Sequence, residues 1–587
     1  SIGAQINWTA LHDGLSRKKI SLPSYSFEPD RFPVIVDPIG QLQSGLIPKT
    51  GQETLKDWIY IPEWKSTQLS DIPECSEKQV FVFFNSGSDW DNLILDELNE
   101  KEEHVISVLP GRFYVKESPS SYSINLMNEE EYYRVIEEIK SDGFHPTDVL
   151  HSWSLGIASG QLSLKEDNTE INRVYFSLAR IVKALSANKC LDDIRIGVIT
   201  ESLHRINGNE NCEYAQALVL ALVNTIPQET SARITNIDLP TFTVSNKDSD
   251  FVYREIKNLG EHRIVGLRNG KKWLPDFQKN QKETEIRKTV LKKNGAYLVT
   301  GGLGNLGFIL AKYLSSVYNA KLILTGRALI PEHISINTEP HIAMGFRRLQ
   351  ELKNLGNEVS YYPIDMANRD QAALMMNKAE YETGLVQGII HTAGINDHSF
   401  FEAVNEITPA STFELASAKV TGVMVLDSLL KTRTPDFVWM SSSLSSILGG
   451  LTYSSYSAGN LFMDYFARSR PKAPTSWKSV CLGEMLLDEE SLKLEKGQTR
   501  TGLTPTEICK LFEWSLVQND AVFVQSVLNL EDRMKRIESI RFEVERSALK
   551  TQGKSIELVR SELSTAFVAP TGGIEARLIE MIEQFLG

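Results

Sequence analysis

Short apolar runs alternate with stretches of helical spacing along most of the chain. The runs fall at 80–84, 149–151 and 194–199, then at 297–299, 321–324, 358–364, 387–391 and 437–441. Helical periodicity marks 129–140, 174–185 and the apolar stretch 308–314. Runs of this length bounded by turn residues predict buried strands, and strands alternating with helices predict parallel, doubly wound sheets. The alternation occurs twice, so the expected fold is α/β with two such halves, at 53–285 and 286–550.

The halves read as copies of each other. His151-Ser152-Trp153-Ser154 resembles His391-Thr392-Ala393-Gly394, each after a pair of apolar residues. The spacing from His151 to Thr200 nearly equals that from His391 to Ser441, and Tyr214-Ala215-Gln216-Ala217-Leu218 then matches 456–461. The copies differ where a nucleotide would bind. The strand at 297–299 runs into Thr300-Gly301-Gly302-Leu303-Gly304-Asn305-Leu306-Gly307, and a helix follows at once. Strand, glycine loop and helix is the context in which a backbone approaches a pyrophosphate at a helix N-terminus. The first copy has one glycine in Asn85-Ser86-Gly87-Ser88-Asp89, and Asp89 would repel a phosphate. Leu218 stands where the second half has Asn460, and the position matching Lys419 is Ala179. The first half is therefore expected to be degenerate and structural, binding no nucleotide. The strand at 321–324 ends near Arg327, where an acidic residue would serve NAD, and this favours the 2′-phosphate of NADP.

Composition narrows the function classes. A chain of 587 residues calls for two or more domains. Net charge is −13 without a long basic block, which argues against nucleic acid as a partner. No apolar run reaches the ~18 residues of a membrane span. Cys75, Cys190, Cys212, Cys481 and Cys509 show no metal-ligand spacing and read as reduced thiols of a cytoplasmic protein, with no metal site. The chain starts at Ser1 without a signal pattern, so it is expected to be a segment of something longer.

The candidate chemistry lies in Lys419, Ser443, Tyr456 and Asn460. Tyr456 and Asn460 are one helical turn apart, and Ser443 follows the strand at 437–441, at the sheet edge where α/β folds bind ligands. Lys419 precedes that strand on a helix. Carbonyl reduction needs a hydride on carbon and a proton on oxygen. A phenol with its free pKa of ~10 is a poor acid until a neighbouring cation lowers it. A serine hydroxyl can stabilise the developing oxyanion, and an asparagine can orient the lysine or a water.

These motifs resemble the short-chain dehydrogenase/reductase superfamily. More closely, the whole chain resembles the ketoreductase region of a modular polyketide synthase. The pattern is T-G-G-x-G-x-L-G at 300–307, Lys419 upstream, Ser443 thirteen before Tyr456, and Tyr-x-x-x-Asn ending at Asn460. Ordinary members read Tyr-x-x-x-Lys; an upstream lysine with asparagine on the helix is the order of polyketide ketoreductases. The resemblance implies two Rossmann-like halves, the second catalytic, and an NADPH-dependent β-ketoacyl reductase acting on an acyl carrier protein. It implies cofactor contacts from Thr300, Gly301, Gly302, Gly304, Leu306, Gly307, Arg327, Asp365, Thr392, Ala393 and Gly394.

It implies further that 1–52 is a linker of the kind following an acyltransferase, with 22–32 carrying the likeness. Residues 58–65 open the structural subdomain, and 551–587 form a linker and the first helix of a carrier domain. Neighbouring synthase domains are the expected partners, and the isolated region is expected to be monomeric. Residues 484–503 are expected to form a lid. The departures are Asn396-Asp397-His398 and Leu448, which match neither usual stereochemical fingerprint, and Cys481-Leu482 in place of Asn-Trp before Gly483. Two rival readings are an inactive scaffold within a synthase, opposed by the intact tetrad, and a free-standing alcohol dehydrogenase, opposed by the degenerate half and the linkers.

Overall fold

The computed structural model describes residues 54–73, 79–208, 210–242, 248–281, 289–335, 337–395, 397–487 and 500–537. The expected linker at 1–52, the carrier-domain helix at 551–587 and most of the expected lid lie outside them. All described residues fall in one compact unit.

The first half contributes β1 (Ile59–Thr67), β2 (Val80–Phe84), β3 (His104–Gly111), β4 (Val115–Ser118), β5 (Ser121–Asn125) and β6 (Asp148–His151). It continues through β7 (Arg195–Glu201), β8 (Arg233–Leu239), β9 (Ile264–Arg268) and β10 (Lys271–Lys279). The second contributes β11 (Ala296–Thr300), β12 (Lys321–Gly326), β13 (Val359–Pro363), β14 (Val386–His391), β15 (Phe437–Ser443) and β16 (Ser476–Leu482). It closes with the short pair β17 (Glu484–Met485) and β18 (Gly502–Leu503), then β19 (Val522–Gln525).

The strands are largely those expected, and their pairing is that of two doubly wound units. In the second half β13, β12, β11, β14, β15 and β16 run parallel in that order. In the first, β5, β3, β2, β6, β7, β8 and β9 do the same. Buried central strands read as continuous apolar runs because helices cover both faces. The periodicity does not reveal that the two sheets are one. β9 turns back into β10, β10 pairs antiparallel with β1, and β1 pairs antiparallel with β19 at Ile59↔Gln525 and Tyr60↔Val524.

The helices between the sheets form the shared core. A buried apolar cluster runs through both halves, from Val82, Tyr175 and Leu222 to Leu298, Val420 and Phe462. The outer face of each half has its own cluster. Helix Val219–Glu229 of the first half is buried from Val219 to Pro227, and helix Ser454–Arg468 of the second is buried on nearly every side. A helix apolar all round must have neighbours all round, and here the other half supplies them. Tyr214 packs edge-on against Phe462 and Phe466, Phe176 against Phe413, and the Tyr465 hydroxyl is 2.8 Å from His204 Nδ1.

Register confirms the repeat and refines it. Phe84 pairs with His151 as Thr300 pairs with His391. His151 pairs with Val198 as His391 pairs with Met440. Three residues on, Glu201 stands where the second half has Ser443, so the first half has lost this position too.

Candidate active site

The strand order reverses between β12 and β14 on either side of β11, the place where an open parallel sheet leaves a crevice at its C-terminal edge. Residues 300–307 and 391–394 line that edge side by side. The Thr392 amide and hydroxyl both donate to the Thr300 carbonyl, at 3.1 and 2.7 Å. His391 locks the corner. Its Nδ1 is 2.7 Å from Thr300 Oγ1, and its Nε2 is 3.0 Å from the Ala418 carbonyl. Burial, aided by the Lys419 charge, holds this imidazole down at about 4 despite its bond to Ala418, so it is neutral and structural.

The glycine loop is built for close approach. Gly301 sits at φ 67°, and a Cβ there would lie 3.0 Å from the backbone of Ala393. At Gly307 a Cβ would collide with the Gly301 carbonyl oxygen and come within 2.8 Å of Thr392 Oγ1. Helix Asn305–Tyr318 starts at Gly304 with no side chain capping its N-terminus. Its first amides are thus available to an anion, which the helix dipole also favours. These features fit the pyrophosphate of a dinucleotide. Gly307→Ala is therefore expected to weaken dinucleotide affinity roughly 10- to 100-fold, matching the ~1–3 kcal/mol that overpacking costs. Fluorescence titration measures it, and unchanged affinity would place the dinucleotide elsewhere.

Arg327 and Asp365 lie beyond the loop, past the ends of β12 and β13. Arg327 is exposed, and its Nη1 is 2.6 Å from Glu414 Oε1. Asp365 is half-buried and accepts from the Ala367 amide at 2.9 Å.

The four chemistry-bearing residues come together at the end of β15. Lys419, on helix Pro409–Leu429, is buried. Its ammonium donates to Asn460 Oδ1 at 2.6 Å and lies 4.3 Å from the centre of the Tyr456 ring. Asn460 Nδ2 donates to the Tyr456 carbonyl one turn back, at 3.0 Å, so both ends of the amide are committed and its oxygen faces the lysine. Burial pushes the Tyr456 phenol up. The Lys419 charge, together with hydrogen bonds from Ser443, Asn460 and Lys419, outweighs burial and holds it below its ordinary value. Phe401 and Tyr453 wall the phenol, with ring centres 5.6 and 5.7 Å from that of Tyr456. Such a group can protonate a carbonyl oxygen near neutral pH.

The surroundings of these four residues add contacts that have no local sequence signal. Gly459 lets the two helices close, since a Cβ there would lie 3.1 Å from Lys419 Cβ. Gly394 faces Lys419 Cε at 3.0 Å in the same sense. Cys481 is buried beneath the site, with its thiol 3.3 Å from Asp464 Oδ2, and the Gly483 amide is held by Gln525 Oε1 at 2.9 Å. Leu448 is buried as well. Asn396 lies outside the described residues.

The first half shows how its equivalent loop is closed. Asp89 is exposed; the buried carboxylate of Asp91 takes the anion's place. Its Oδ2 accepts from the Ser86 and Ser88 amides, each at 2.9 Å, and from their hydroxyls at 2.6 and 2.8 Å. The Ser86 and Ser88 amides are thus satisfied internally, and the acid that does so is Asp91 rather than Asp89.

Residues 295–485 match the model of the KR domain, and residues 79–235 match that of a beta-ketoacyl synthase-like N-terminal region. Among solved structures, an N-terminal ketoreductase from the macrolactin assembly line shares the fold with TM-score 0.66 at 22% identity, over 85% of this chain and 99% of that one. A-type ketoreductases from a modular polyketide synthase align with TM-score 0.65 at 17% identity, over 82% of this chain and 96% of theirs. In sequence, polyketide synthase PksM of Bacillus subtilis (strain 168) is 26% identical over 546 residues, covering 88% of this chain and 12% of the relative. The 6-methylsalicylic acid synthase of Penicillium patulum is 28% identical over 206 residues, 33% of this chain and 11% of that protein. The chain thus spans 12% or less of the length of these two relatives.

Proposed function

We propose, from the premise that this chain is a ketoreductase region of the modular polyketide-synthase type with its KR domain at residues 295–485, that it reduces the β-ketone of an acyl thioester carried on an acyl carrier protein, with NADPH as the reductant. The observation that carries this reading is the Lys419–Asn460–Tyr456 arrangement beside the glycine cradle.

When bound, a reduced nicotinamide supplies the hydride. Residues 301–307 and 392–394 hold the dinucleotide. Ser443 donates a hydrogen bond to the substrate carbonyl oxygen. Tyr456 delivers the proton to that oxygen as charge develops there, and Lys419 stabilises the phenolate left behind. Asn460 keeps the ammonium against the phenol. Neighbouring synthase domains hold the carrier within reach.

The test is turnover of NADPH with a short β-ketoacyl thioester. NADPH loss matched by β-hydroxyacyl thioester of a single hydroxyl configuration is the expected result. No oxidation above the blank, with free and carrier-bound substrate alike, would overturn the reading.

Preference for NADPH over NADH rests on Arg327. Arg327→Ala is expected to weaken NADPH binding roughly tenfold, a typical worth of a hydrogen bond to a charged group, while leaving NADH binding unchanged. Glu414 competes for the same guanidinium. An exposed ion pair is worth only ~0–1 kcal/mol, so Glu414→Gln is expected to tighten NADPH a few-fold at most. Equal affinity of the wild type for both cofactors would remove Arg327 from this role.

A further inference from the structure

Helix Val219–Glu229 of the first half ends against two loops of the second. We propose that Glu229, in the half without a nucleotide site, is a positioning residue for the reductase site: its carboxylate fixes the two loops that carry the aromatic wall around Tyr456. The proposal rests on the function proposed above.

The carboxylate accepts one backbone amide from each loop. Glu229 Oε2 takes the Val404 N–H at 2.6 Å, and Oε1 takes the Thr452 N–H at 2.6 Å. The same helix face continues the grip. Gln228 Nε2 donates to the Leu448 carbonyl at 2.8 Å, and Asn224 Nδ2 donates to the Ser446 carbonyl at 3.0 Å. Lys183 holds the Ile407 carbonyl at 2.9 Å. Amides meet carbonyls, the carboxylate meets N–H groups, and the segment between Ser443 and Tyr456 is tied to the other half at Ser446, Leu448 and Thr452.

That segment needs holding. Gly449, Gly450 and Thr452 have φ of 70°, 145° and 64°. A β-branched residue at positive φ is an outlier that persists only where its surroundings impose it. Thr452 immediately precedes Tyr453, and Phe401 lies three residues before Val404. The Phe401 ring centre is 4.9 Å from that of Tyr453 and 5.6 Å from that of Tyr456. One carboxylate bridging Val404 and Thr452 therefore sets the gap between Phe401 and the phenol.

Burial pushes the Glu229 carboxyl up to about 7, against the pull of its two amide bonds, and Glu406 adds a like charge. The buried phenol of Tyr175 also faces it. A pKa raised in the folded state adds stability that is fully present below the ordinary carboxylate range and lost as pH rises through about 7. The grip runs the other way. The ionised carboxylate accepts both amides in charge-assisted bonds; once protonated, one oxygen becomes a hydroxyl, a donor and a much weaker acceptor, and the grip loosens. Glu229 thus costs stability where it holds the site best.

The test compares wild type with Glu229→Gln and the milder Gln228→Met. It reads kcat, KM and NADPH affinity from pH 6 to 9, and backbone amide exchange at Val404 and over 446–453. Glu229→Gln is expected to lower kcat roughly 10- to 100-fold, as misplacement of catalytic groups does, with NADPH affinity unchanged. The wild-type kcat falls on the acid side of about 7, and this limb vanishes in Glu229→Gln. Exchange quickens in the two loops alone. Gln228→Met shows a smaller drop in kcat and retains the acid limb. Unaltered exchange at Val404 and Thr452 in Glu229→Gln would overturn the proposal. So would altered exchange with wild-type kcat and pH profile. A wild type that reduces no thioester would overturn the proposed function instead, while the exchange data still decide whether Glu229 holds the loops.

Discussion

Tyr456→Phe is expected to cripple ketone reduction while leaving NADPH affinity within a few-fold of wild type. The ring keeps its packing against Phe401 and Tyr453 and its place near the Lys419 ammonium. Only the hydroxyl leaves, and with it the proton for the carbonyl oxygen. General-acid catalysis is worth ~10²–10⁴-fold, and kcat should fall by that much. Lys419→Met separates the cation from the packing. Burial would then raise the phenol pKa without the opposing charge. A phenol acting as an acid loses activity as pH rises through its pKa. The alkaline limb of the kcat profile should therefore move to higher pH in Lys419→Met, even as the maximum falls. Near-normal turnover by Tyr456→Phe would remove the tyrosine from the chemistry.

Residues 286–550 expressed without the first half are expected to be insoluble or unfolded. Helix Ser454–Arg468 carries Tyr456 and Asn460 on one side. On the other it presents Phe462, Tyr465 and Phe466 to Tyr214 and His204. Removing the first half strips that face, along with the strand that pairs with β19 and the helix that grips residues 446–452. An apolar patch of that extent drives association. Light scattering and thermal denaturation of the fragment read the outcome. A monomeric, cooperatively folding and fully active fragment would show that the first half is no support.

Much of this was legible in the chain itself because it is written in short spacings. The glycine loop, the tyrosine and asparagine one turn apart, and the apolar runs at 80–84, 321–324 and 437–441 all depend on neighbours within one element. The repeat of His151 and His391 survives because each holds a strand end: His391 joins Thr300 to the Ala418 carbonyl, and His151 Nε2 is 2.7 Å from Ser177 Oγ. What the pattern concealed are contacts between residues far apart in sequence. Glu229 meets Thr452 across 223 positions, and nothing local to either announces it. Gly459 looks like a weak point in a helix until Lys419 is seen crossing it. The sequence points to Asp89, yet Asp91 is the acid that enters the loop; which of two acids does so depends on the direction of the first helical turn. The pattern conceals the single continuous sheet because β1 of the first half pairs with β19 of the second, more than 450 positions away.

The most direct test counts cofactor and product on the intact chain. NADPH is titrated to saturation by calorimetry, and the loaded protein is then mixed with a short β-ketoacyl thioester. The account predicts one NADPH per chain, since Asp91 already fills the first loop, and one β-hydroxyacyl thioester for each NADPH consumed. Two NADPH per chain would contradict the division into a structural and a catalytic half, and one NADPH that binds but is never consumed would contradict the reductase itself.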